Sequence, residues 1–127
     1  MSDKPYDIKQ RSYNFSKEII QFVGASGFER IYISLFDQVL RSGTSIGANV
    51  EEGKAGSSRR DFRKFYLIAL KSANETKYWL SLIKDTKVSK VSEEKHVELI
   101  NESAELSKII ASIVINLDKN NKITFAF

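Results

Sequence analysis

Residues 57–127 contain neither glycine nor proline. These are the two strongest breakers of helices and also the usual turn formers of a β-rich chain. All six glycines lie earlier, at positions 24, 27, 43, 47, 53 and 56, and the lone proline is Pro5. So long a stretch without them excludes a protein built from short strands and points to long helices. With 127 residues, 42% of them apolar, the chain is sized for a single domain, 1–127, with one core. An all-α fold is expected.

The apolar spacing predicts four helices, over about 8–23, 29–52, 58–87 and 93–120. Gly24 and Gly27 would close the first, and Gly53 fits the position just past the end of the second. Ser58, with Asp61 three residues on, is a plausible N-cap for the third, and Ser92 followed by Glu93 and Glu94 for the fourth. The fourth stripe is read as Val97, Ile100, Ala104, Ser107, Ile110, Ala111, Val114 and Leu117, ahead of an apolar tail over 121–127. Short connections favour an up-down-up-down antiparallel four-helix bundle, with a three-helix bundle and a peripheral first helix as the alternative. Gly43 and Gly47 make a smooth strip where another helix can come close. Ile31, Ile33, Tyr66, Leu67, Ile68, Leu70, Tyr78 and Leu82 fall beside or opposite the main stripes. Such broad apolar coverage on a small bundle predicts a homo-oligomer.

Composition removes much of the enzyme repertoire. The absence of cysteine excludes disulfides, thiolate metal sites and cysteine nucleophiles, and one histidine cannot make a multi-histidine centre. His96, among Glu93, Glu94 and Glu98, reads as a surface residue. Glu51 and Glu52 point about 100° apart on a helix and cannot line one site. Asp37 and Arg41 form an ordinary i, i+4 pair, and Arg41 is also a possible partner for a semi-buried Glu75. No paired acid and base can be assembled, so neither catalysis, a metal nor a cofactor is expected. No apolar run is long enough to span a membrane, and the first ten residues lack the apolar core of a signal peptide, so a cytoplasmic location is expected.

Charge is distributed unevenly. Residues 54–90 hold ten Lys or Arg against three acids, a net of +7, while the segments on either side are mildly acidic. Arg59, Arg60, Arg63 and Lys64 crowd the first turns of the third helix, where the positive end of the helix dipole prefers anions. The plain reading is a solvated surface; the functional one is a phosphate-binding surface that also takes in Lys71 and Lys77. Base-specific readout has no motif to support it.

Two blocks of residues resemble a known family. One is Leu35-Phe36-Asp37-Gln38-Val39-Leu40-Arg41-Ser42 followed by Ser45-Ile46-Gly47-Ala48-Asn49-Val50-Glu51-Glu52-Gly53. The other is Phe62-x-x-Phe65 leading to Ile68-Ala69-x-x-Ser72-x-x-Glu75, and Arg11-Ser12-Tyr13-x-Phe15 fits the family's start. They resemble the four-helix-bundle proteins encoded in intervening sequences of bacterial 23S rRNA genes, which are similar to the accessory variability protein of diversity-generating retroelements. The resemblance implies a ring, a homopentamer, without enzymatic activity, in which Gln38, Arg41, Ser42, Ser45, Asn49, Glu52, Gly53, Phe62, Ser72 and Glu75 belong to the family motif. It further implies nucleic acid, structured or ribosomal RNA, as a partner. The competing expectation is a scaffold for a protein partner such as a polymerase or reverse transcriptase.

Overall fold

The computed structural model describes residues 7–56 and 58–125, with side chains through residue 120. They form four helices, α1 (Ile8–Ala25), α2 (Ile33–Ala55), α3 (Arg59–Thr86) and α4 (Glu93–Phe125), with a 3₁₀ turn at Arg30–Tyr32 leading into α2. No strand occurs among the described residues. Neighbours in sequence pack against each other, α1 also meets α4, and the backbones of the diagonal pairs do not approach closely. That is the antiparallel four-helix bundle, and α1 is part of it rather than peripheral.

Local chemistry sets the helix ends, in places differently from expectation. Asp7 caps α1 by accepting from the Gln10 amide, and Ser58 caps α3 by accepting from the Asp61 amide at 3.1 Å. Gly24 lies within α1; the left-handed position after the helix falls to Gly27, at φ 54°. Gly53 does not end α2 either. The helix runs on to Ala55, and a Cβ at residue 53 would meet the Tyr66 ring at 2.8 Å, so the glycine there serves a close helix approach rather than a turn. Gly43 does the same towards α1, where a Cβ would meet Ile19 at 2.8 Å, and Gly47 lies against the Ser12 backbone. The α4 helix continues through Phe125, with no breaker near 120 to stop it, so most of the expected tail is helical. The end of that tail lies outside the described residues.

The core runs the length of the bundle through Phe15, Ile19, Phe36, Ile46, Ala69, Leu80, Leu99 and Ile110. In α4 the buried line is His96, Leu99, Ser103, Leu106, Ile110 and Val114, so the expected register is shifted over the first half and Val97 is exposed. Two polar residues on the inner line hid it from a search for apolar spacing. His96 is accordingly not a surface residue: it is 3% exposed, its ring stands edge-on to Phe22 at 5.0 Å, and its Nδ1 lies 2.8 Å from the Ser92 carbonyl. Tyr66, expected beside the stripe, is 1% exposed. Ile31, Ile33, Leu67, Ile68 and Tyr78 do lie on the surface, and Leu70 and Leu82 are half-buried.

Helix lengths decide what the bundle leaves uncovered. The 33 residues of α4 rise about 50 Å and the 18 of α1 about 27 Å. Among the described residues, the end of α2, the start of α3 and the end of α4 extend past the start of α1 with no fourth helix beside them. The basic cluster lies at that end.

Candidate nucleic-acid interface

At the start of α3, Arg59, Arg60 and Lys64 are exposed and Arg63 is half-buried. Ser58 and Asp61 help satisfy and neutralise the first turn, but the arginines still place positive charge where the helix dipole is positive. Arg63 turns across the bundle to α4. Its Nε and Nη2 donate to Asp118 at 2.7 and 3.1 Å, and this hydrogen bonding to the carboxylate raises the guanidinium pKa further above its ordinary value. Of the four expected clustered cations, Arg63 is thus bound to the fold. Lys64 lies over the Phe65 ring, 5.1 Å from its centroid.

Two shallow depressions flank the cluster. One, about 540 Å³, is bounded by Gly53, Lys54, Arg59, Phe62 and Leu117. The other, about 750 Å³, is bounded by Arg60, Asp61, Arg63, Lys64 and Leu67. Lys54, at the last turn of α2, joins the cation surface across the interhelix loop. Lys71 and Lys77 are exposed but further along α3: Arg59 and Lys77 are separated by a rise of about 27 Å. The six expected contact residues therefore form an elongated cationic strip, dense at one end, and not one pocket. Among the described residues no group of histidines and carboxylates could hold a metal, and no helix is long and apolar enough to cross a membrane.

The motif residues do different work. Ser42 and Thr76 oxygens stand 2.9 Å apart, and the Ser72 hydroxyl donates to Ser45 at 3.0 Å. The Asn49 amide donates to the Ser45 carbonyl and hydroxyl at 2.8 and 2.9 Å. These groups form a hydroxyl ladder between α2 and α3. Gly53 receives Tyr66, which stacks on Phe62 at 4.2 Å between centroids. Gln38, Arg41 and Glu52 face outward. The partner expected for Glu75 was Arg41. Instead Glu75 accepts from the Trp79 indole at 3.1 Å one turn along its own helix, and Arg41 lies 3.8 Å from Asp37 as the i, i+4 spacing predicts. The Arg63–Asp118 bridge was not anticipated: its partners are 55 positions apart and no local pattern connects them.

Fold and site together define an all-helical bundle with a cationic strip on one helix and a motif whose glycine and hydroxyl residues pack α2 against α3. The profile of the 23S rRNA-intervening sequence protein family matches residues 4–112, and the chain belongs to that family. Its structure is similar to the crystal structure of a protein of unknown function in the S23 ribosomal protein family from Bacteroides thetaiotaomicron. The two are 35% identical with a TM-score of 0.73, over 84% of this chain and 97% of the other. No curated protein matches the chain.

Proposed function

We propose that this protein is a non-enzymatic, oligomeric RNA-binding protein of the cytoplasm that holds structured RNA by its phosphate backbone along the α3 strip. The observation that carries the reading is the exposure of Arg59, Arg60 and Lys64 at the positive end of α3, with Lys54 beside them. Such a cluster adds positive charge at the end of the helix where the dipole is already positive, which favours an anionic ligand such as phosphate. The family's link to 23S rRNA genes makes ribosomal RNA the first ligand to try. A ring, a pentamer by family resemblance, would repeat the strip and strengthen its field.

The test is RNA binding measured against salt for the native protein and for a variant carrying Arg59→Ser, Arg60→Ser and Lys64→Ser. Arg63 is left alone because it bridges to Asp118. Losing three phosphate contacts should flatten the slope of log affinity on log salt by about 2–3; an unchanged slope removes the assignment to this cluster. Absolute mass on the same sample tests the assembly, and a monomeric mass refutes it.

A second reading, a scaffold for a protein partner, draws on exposed apolar side chains, of which Ile31 at 79% is the most open. It expects a protein that stays bound after nuclease digestion.

A further inference from the structure

Along the outer face of α3, Arg60, Lys64, Lys71 and Tyr78 recur at intervals of four, seven and seven residues, which keeps them on one side of the helix. All four are exposed. Tyr78 is 60% exposed, a large fraction for an aromatic ring in mid-helix, with Lys77 beside it in the chain. It is also held in place. Its ring packs nearly perpendicular to Trp79, with centroids 5.0 Å apart, and the Trp79 indole is fixed by its bond to Glu75. Packing the bundle does not account for a braced aromatic that remains mostly in water. Lys71, two turns away on the same side of the helix, and Lys64, two turns further, supply the charge that brings a phosphodiester strand to it.

We propose that Tyr78 is a stacking platform for an unpaired base, so that the α3 strip takes RNA with a single-stranded segment next to the part held by its phosphates. This rests on the RNA-binding reading above and adds a residue and a ligand class to it. Stacking needs a base face, and a continuous duplex offers none along its length. Lys71 and Tyr78 are about 10 Å apart along the helix, so one strand can touch both. The ring carries no charge, so its contribution is independent of salt, unlike that of the cations.

The chain's single tryptophan makes the test direct. Native protein is titrated at low salt with an oligouridylate and, separately, with a blunt RNA duplex, reading Trp79 emission and the anisotropy of labelled RNA. The oligouridylate should shift Trp79 emission and the duplex should not. Tyr78→Ala should weaken oligouridylate binding on the order of ten-fold, with the salt slope and duplex affinity unchanged. Tyr78→Phe should bind as the native protein does. If Tyr78→Ala binds oligouridylate normally and Trp79 emission stays still, stacking is overturned while phosphate binding through Arg59, Arg60 and Lys64 stands. If neither RNA binds, both proposals fall. If Tyr78→Ala changes the subunit number and leaves RNA affinity untouched, the ring belongs to an assembly contact and this inference is wrong.

Discussion

The α2–α3 seam and the α1–α4 seam close the same bundle by opposite means. Between α2 and α3, small residues let the helices approach until Gly53 touches the Tyr66 ring, and hydroxyls of Ser42, Ser45, Ser72 and Thr76 pair across the gap. Between α1 and α4 the approach is the sparsest of the four, and beside the Phe22–His96 ring contact the polar connection is a side-chain fork: Arg11 donates to both Glu102 oxygens at 2.7 and 2.8 Å. Hydrogen bonding to Glu102 raises the Arg11 pKa. Where the backbone can come close, dispersion and short hydroxyl contacts suffice. Where the helices stand further apart, long charged side chains bridge the distance. Position in the bundle, more than polarity, separates the two solutions.

The comparison breaks most directly at Gly53. Gly53→Val should destabilise by about 3 kcal/mol in chemical denaturation, because Tyr66 is buried against Phe62 and cannot yield. Next comes alkaline pH. Burial pushes the Tyr66 phenol up to about 12 from 10.0. The unfolded chain then ionises first, so stability is intact below pH 10 and falls by roughly 2–3 kcal/mol as pH rises towards 12. Tyr66→Phe should remove that part of the fall. Thr76→Val leaves the buried Ser42 hydroxyl without its neighbour and should cost about 1–2 kcal/mol. On the other seam, Glu102→Gln should cost about 1 kcal/mol and lose most of its effect in high salt, since the pair is partly solvated. An effect of Glu102→Gln larger than that of Gly53→Val would reverse the ranking of the seams. The smallest change expected is at His96, whose Nε2 lacks a partner in the core. His96→Leu should lie within about 1 kcal/mol of the native protein, with the lost Ser92 contact offset by removing a bare polar atom.

How much of this was legible in the chain differs from site to site. Ser58 and Asp61 announce the start of α3 through capping chemistry that operates over three residues, and the structure has that bond. The Gly43 and Gly47 strip was readable because a missing Cβ on a helix has few uses other than close approach. Gly53 misled for a related reason: a glycine near a helix end has two roles, and only the position of Tyr66 selects between them. His96 and Ser103 broke the apolar line of α4, so its inner face was read a residue away from where it lies. At the basic cluster, the charges were countable in the sequence, whereas the diversion of Arg63 to Asp118 required α4 to be in place.

By itself the sequence determined the helical class, the four-element order, the N-caps of α3 and α4 and the concentration of positive charge before and along α3. Each follows from chemistry within a few residues or from composition, which need no partner helix to act. Tertiary structure alone decided which glycine ends a helix and which receives a ring, that the single histidine is buried, and that Arg63 turns to Asp118 on α4. Those outcomes depend on helix lengths and on side chains far apart in the chain, and among the described residues α4 runs well past the start of α1 at the cationic end.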